Sequence, residues 1–162
     1  METQKTHNKQ EARTSAAAHY YNNVFKKQLA KGKEAEERAH VLIKNIYDVD
    51  IIEEQTEKNY KDMHYDFKTS DNKKYEVKRD DMAKQTDNIF IEFSAFGKDS
   101  GIKTTEANKY IIVVGDTFYI ISVVKLLKLC LGSPIKEIEA TNTKGHIIKL
   151  EKLKEHADIY EA

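Results

Sequence analysis

The chain has 162 residues, 27 basic and 27 acidic side chains, one cysteine and 40% hydrophobic residues. Such a length suits one domain with a sizeable core, and a single cysteine excludes an internal disulfide and a cysteine-based zinc cluster. No run of about 18 apolar residues occurs and the N-terminus is polar, so neither a transmembrane helix nor a signal peptide is expected. The expected setting is intracellular and cytoplasmic, with no membrane partner.

Zero net charge points to no partner by itself, but the charges are unevenly placed. Residues 1–33 hold seven bases (Lys5, Lys9, Arg13, Lys26, Lys27, Lys31, Lys33) against Glu2 and Glu11, a net of +5. The next stretch, through Asp66, is acidic. A basic arm beside an acidic centre suits a protein that attracts phosphates while its carboxylates hold metal; a plain polar tail has the same composition.

Residues 1–12 are expected to be loose. A helix follows, capped by Thr14 or Ser15, with an apolar stripe of Ala16 to Ala18, Tyr20, Tyr21, Val24, Phe25 and Leu29. Gly32 is expected to interrupt it, which divides the chain into a basic arm over residues 1–31 and a single domain over residues 32–162. A second helix runs from Lys33 to about Asn45, with Ala35, Ala39, Leu42, Ile43 and Ile46 at helical spacing. At about 100° per residue, Glu36 lies at the margin of this stripe, roughly 75° from its centre, while Glu34 is further round and Glu37 almost opposite. Glu36 is therefore the acid placed to lean over a sheet on which the helix packs. His40 lies too far from the stripe and is expected at the surface.

Tyr47 to Glu53 reads as a first strand. His64 to Lys78 then alternates in character on both sides of a polar turn at Ser70-Asp71-Asn72, the pattern of a β-hairpin. Pairing Tyr65 with Val77 and Phe67 with Tyr75 unites the apolar side, whereas a one-residue slip sets Tyr65 against Lys78. The favoured register places Asp66 across from Glu76, with Lys78 beside them. Adjacent carboxylates repel unless a cation lies between them. Two acid oxygens with open water positions suit Mg²⁺, which polarises a phosphoryl oxygen and activates a bound water, and a neighbouring lysine can position that water. On these residues alone, a solvated face carrying a surface Glu–Lys pair fits as well.

Asn88 to Ala95 reads as a strand covered on both faces, in which Glu92 needs a partner: Lys78, or the edge of a metal site. Phe96 to Gly101 is expected to be a flexible loop whose Lys98 approaches a phosphate backbone. Thr104 or Thr105 caps a short turn. Lys109–Val114 and Thr117–Ile121 form a hairpin across Gly115-Asp116, and Ser122 caps a helix to about Leu131. In that helix Cys130, among leucines, reads as a packed thiol. Residues 132–145 are expected to be loop, His146 to Leu150 a last strand, and the tail from Lys152 helical. The sum is an α/β domain with one mixed central sheet flanked by helices.

Asp66, nine residues, then Glu76-x-Lys78 is similar to the PD-(D/E)XK nuclease superfamily, and the element order resembles the restriction-endonuclease-like core. Gly32-x-x-x-Glu36 resembles the form found in Holliday-junction resolvases. Thr86 to Glu92, then Ser100-Gly-Ile-x-Thr-Thr-x-Ala107-x-x-Tyr110, resembles small phage-type members. The likeness covers about residues 32 to 130, and Tyr65 stands where the motif usually has proline.

The resemblance implies a bacterial or phage-type DNA endonuclease that takes Mg²⁺, with Mn²⁺ able to substitute. Asp66, Glu76 and the Val77 carbonyl would hold the ion, Lys78 would orient the water, Glu36 would support the metal shell and Glu92 would stand behind it. Lys73, Lys98, Lys26, Lys27, Lys31 and Lys33 are the candidate phosphate contacts. Resolvases of this fold act as dimers, so a homodimer on branched or junction DNA is implied. A restriction-like or exonucleolytic enzyme on linear DNA or RNA, and a non-catalytic nucleic-acid-binding module, remain the alternatives.

Overall fold

Strong helix formers on both sides of Gly32 decide the start of the chain. In the computed structural model, which describes residues 2–161 with side chains from residue 18 onward, one helix, α1 (Glu2–Tyr47), runs through Gly32 without a break. This corrects the expected loose arm and the two separate helices. An interior glycine costs a helix only about 1 kcal/mol relative to alanine, which Leu29, Ala30, Lys31, Glu34 and Ala35 offset. The expected cap at Thr14 or Ser15 falls among residues whose side chains lie outside the description.

The chain forms two compact units, residues 1–34 and residues 35–162. In the first, Tyr20, Tyr21, Phe25 and Leu29 are all more than half exposed. In the second, Ala35, Ala39 and Ile43 are buried. The rest of the fold belongs to that second unit.

Asp48, in the left-handed conformation (φ 52°), ends α1, so the first strand, β1 (Ile51–Glu54), starts four residues later than the sequence suggests. The hairpin follows as β2 (Phe67–Thr69) and β3 (Lys74–Arg79), antiparallel with Phe67 opposite Tyr75. The two rings stack with centroids 4.9 Å apart. The expected Tyr65–Val77 pair is not part of the ladder, because β2 begins at Phe67. Tyr65 instead packs with Met63 and Ala107.

Next come the short helix α2 (Ala83–Thr86), β4 (Asn88–Ala95) and β5 (Lys98–Asp99). The hairpin β6 (Lys109–Val114) and β7 (Thr117–Ser122) leads into α3 (Val123–Cys130), whose N-terminus is capped by Ser122 accepting from the Lys125 N–H. Cys130 is buried. The chain closes with β8 (Ile135–Ile138), β9 (Thr143–Lys149), α4 (Leu150–His156) and β10 (Asp158–Glu161).

The class is α/β with a mixed central sheet. Six strands lie in the order β1-β2-β3-β6-β7-β10, and only the β3–β6 pair is parallel. A second, antiparallel sheet has the order β5-β4-β9-β8. Here the expectation of a single sheet fails, because β4 joins β9 instead of the central sheet. Its apolar residues are not covered on both sides either: Ile89 and Ile91 are buried, Asn88 and Phe90 half-buried. Residues 132–145, expected as loop, contain β8, and the helical tail ends in β10.

Side-chain alternation gives the central sheet two buried faces. Phe67, Tyr75, Ile111, Val113, Phe118 and Ile120 pack with Ala35, Ala39 and Ile43 of α1. Tyr110, Ile112, Tyr119 and Ile121 pack on the other side with Ile89, Ile91 and Ile148 of the second sheet, Leu126 of α3 and Leu153 of α4. Glu76 and Lys78 alternate with Tyr75 and Val77, so they belong to this second side.

A Cβ built on Gly32 meets nothing within 4 Å. Gly32→Ala is therefore expected to raise stability by up to about 1 kcal/mol, read as a higher melting temperature by circular dichroism. A lower one would mean that the glycine is required where it stands.

Candidate functional site

Asp66 is held by its backbone from both sides. Its N–H donates to the Tyr75 carbonyl at 2.8 Å, and its carbonyl accepts from the Gln55 N–H at 2.7 Å. Its carboxylate accepts from the Val77 N–H at 2.6 Å. That last bond places the Asp66 side chain beside Glu76, the neighbour of Val77 on β3. Glu76 stands opposite Tyr110 on β6, and Lys78 opposite Ile112. Asp66, Glu76 and Lys78 are each half-buried.

Two small cavities meet at Glu76 and Gly101. One, of about 140 Å³, is lined by Glu76, Lys78, Ile91, Glu92, Gly101 and Tyr110. The other, of about 180 Å³, is lined by Asp66 and Glu76 together with Gln55, His64, Thr104, Thr105 and neighbouring residues. A larger hollow of about 460 Å³ lies elsewhere, between α1 and the chain's end, where Val41 and Leu42 form an apolar wall. It holds no convergent acids near a lysine, so the two smaller cavities are the better site.

Glu92 lies at an irregularity in the β4–β9 ladder, between Glu92 and Ser94, the kind of bulge that re-aims a side chain. Its carboxylate accepts from the Ser100 hydroxyl at 2.7 Å, so its hydrogen-bond partner is Ser100 and not Lys78. Gly101 has φ +53°, and a Cβ there would lie 2.2 Å from the Glu92 carbonyl oxygen. Only glycine allows that approach.

Burial pushes the Glu76 carboxyl up to about 8; the negative Asp66 adds to the shift, Lys78 opposes it, and Glu36 and Glu92 raise it further. Burial also pushes Asp66 up, to about 6, against the Val77 hydrogen bond and Lys78. The Tyr110 phenol is raised by burial and then by Glu76. Four carboxyl groups thus stand close together beside Lys78, and a cation among them would favour their charged forms.

Comparison of the chain with protein-family models, with curated proteins and with solved structures gives no match.

Of the residues expected from the sequence, the fold brings together Asp66, Glu76, Lys78 and Glu92. Glu36 is half-buried and its charge reaches Glu76. Val77 contributes its N–H to Asp66, and its side chain packs on the α1 side. Lys73, at the hairpin turn, and Lys98, on β5, are exposed and line neither cavity. Lys26, Lys27, Lys31 and Lys33 are exposed on the separate unit of residues 1–34. Tyr110, Gly101, Gln55, His64, Thr104 and Thr105 had no assigned place in the site. Ser100, Gly101 and Tyr110 do occur in the pattern that resembles phage-type nucleases, and that pattern was the available signal.

Among the described residues, no three or more His, Cys, Asp or Glu side chains converge closely enough to hold a metal ion. The donor set still fits Mg²⁺, which keeps several waters and takes one or two carboxylates with substrate phosphates. Asp66 and Glu76 would hold it, and when bound it would polarise a phosphoryl oxygen and acidify water. The chain's own contributions are the Lys78 ammonium, placed to position a water or offset developing charge, and the buried wall formed by Tyr110 and Ile91. Among the described residues, no helix is long and apolar enough to cross a membrane.

The raised carboxyls set a pH dependence. Between the ordinary carboxylate range and about 8, the folded chain keeps protons that the unfolded chain has lost, so stability falls as pH rises. Without divalent ions the melting temperature is expected to drop from pH 5 to pH 8. Glu76→Gln should flatten most of that slope, and millimolar Mg²⁺ should offset it at pH 8. An equal slope in Glu76→Gln would assign the effect to other groups.

Proposed function

We propose that this chain is a Mg²⁺-dependent nuclease that hydrolyses DNA phosphodiester bonds, with Mn²⁺ able to replace Mg²⁺. The observation that carries the proposal is the convergence of Asp66 and Glu76, fixed by the Val77 N–H, with Lys78 on the same strand face and open cavities on both sides. The resemblance of Asp66, Glu76 and Lys78 to the PD-(D/E)XK pattern supports the same reaction. Asp66 and Glu76 take the roles of metal ligands with the Val77 carbonyl, Lys78 orients the attacking water, and Glu36 and Glu92 tune the charge around them.

Phosphodiester hydrolysis suits these parts because negative charge grows on the phosphoryl oxygens while a water must lose a proton. The exposed Lys26, Lys27, Lys31 and Lys33 supply sequence-independent attraction to the DNA backbone, so binding should weaken steeply with salt. Branched DNA cut by a homodimer is the substrate and assembly that the resolvase likeness favours. A non-catalytic binding module is favoured by one observation only, the lack of a three-ligand group among the described residues.

The test is a panel of linear, nicked, flapped and four-way DNA with Mg²⁺, Mn²⁺ or chelator. Asp66→Asn, Glu76→Gln and Lys78→Ala are each expected to lower the cleavage rate by about a hundredfold or more. Glu36→Gln should have a smaller effect that excess metal partly restores. Metal-dependent cleavage that survives in all three variants would remove the site. Binding without any cleavage would leave the non-catalytic module.

A further inference from the structure

Among the described residues, five non-glycine residues adopt positive φ: Asp48, Asn72, Asp87, Phe96 and Asn142. Four are aspartate or asparagine, whose short polar side chains tolerate the left-handed region; a bulky aromatic there is an outlier. Phe96 has φ 51° and Gly97 φ 73°, and together they form the two-residue turn between β4 and β5, where Ala95 pairs with Lys98 and Ser94 with Asp99. Turns of this kind favour Asn-Gly or Asp-Gly. Nothing in the core explains the phenylalanine, because the residue is 76% exposed.

The tip is nevertheless held in place. The Phe96 N–H donates to the Thr141 carbonyl at 3.2 Å, and the Asn142 amide lies 3.3 Å from where a Gly97 Cβ would stand. The strained backbone that carries this exposed residue is thus held by its neighbours, the condition under which strain persists for a use. Both roots of the hairpin are walls of the site, Glu92 on one arm and Ser100-Gly101 on the other. Lys98 stands exposed next to the turn.

We infer that Phe96 is a wedge that stacks on a base at a break in the DNA duplex and so selects branched or discontinuous substrates. The inference rests on the proposed nuclease function and narrows its substrate class. Apolar side chains inserted between base steps unstack and kink DNA, a step that is easiest where stacking is already interrupted. The adjacent Lys98 ammonium offers the flanking phosphate a counter-charge.

The experiment compares wild type, Phe96→Asn and Phe96→Tyr on flapped, four-way and linear DNA, with melting temperatures measured in parallel. Phe96→Asn should melt higher, since asparagine suits the turn, and its branched-to-linear rate ratio should fall about fivefold or more, the lower end of what one base–aromatic stack contributes. Phe96→Tyr should keep the ratio. A 2-aminopurine at the branch point should change fluorescence on binding Lys78→Ala protein, and not on binding the Lys78→Ala, Phe96→Asn double variant. An unchanged ratio in a stabilised Phe96→Asn protein overturns the wedge while leaving the nuclease intact. If wild type cuts nothing, the nuclease proposal fails, and the fluorescence comparison still decides whether Phe96 enters DNA.

Discussion

The hydrogen bond from the Val77 N–H to the Asp66 carboxylate is the interaction on which the site depends. It ties Asp66, in the bend before β2, to β3 and so holds its carboxyl beside that of Glu76. The force that holds it there is apolar. Phe67 and Tyr75 stack against each other and against Ala39 and Ile43 of α1, and side chains alternate along a strand. Burying that pair on one side therefore commits Glu76 and Lys78 to the other. A one-residue slip would exchange the two sets and press the acids into the α1 interface.

The consequences spread along the central sheet. Parallel pairing with β6 sets Tyr110 opposite Glu76 and closes the site from behind. The second sheet contributes Ile91 and Glu92 through β4. Because β4 leaves the central sheet, its hairpin with β5 can project from the site instead of continuing the layer. The bulge at Glu92 and the positive φ of Gly101 are local departures from regular geometry that let the two sheets meet around the acids.

Much of this was legible in the chain. Alternation from Met63 to Lys78 was enough to place Asp66 near Glu76 and Lys78, because burial of Phe67 and Tyr75 admits one register. The helical angle of Glu36 distinguished it from Glu34 and Glu37, and in the structure Glu36 is half-buried while the other two are exposed. Other features are set by distant partners. β4 pairs with β9, more than fifty residues later in sequence, and nothing inside Asn88–Ala95 names that partner. β8 and β10 are four-residue strands with mostly exposed side chains, too short for a periodic signal. Gly32 misled because a helix breaker was weighed without the helix formers around it. Gly101 and Tyr110 join the site through packing between sheets, which alternation along one strand does not mark, although both fall within the Ser100-to-Tyr110 pattern.

The single parallel pairing in the central sheet also orders events in time. Asp66 and Glu76 lie only ten residues apart, and their hairpin can close as soon as it is made. The strand that backs it, Lys109–Val114, arrives about thirty residues later and pairs in parallel, a contact that forms more slowly than a hairpin. Until then Glu76 faces water and Gly101 has no wall to join. A growing chain thus carries Asp66, Glu76 and Lys78 well before it carries the strand that walls them, and the candidate site is completed only when the fold is nearly whole.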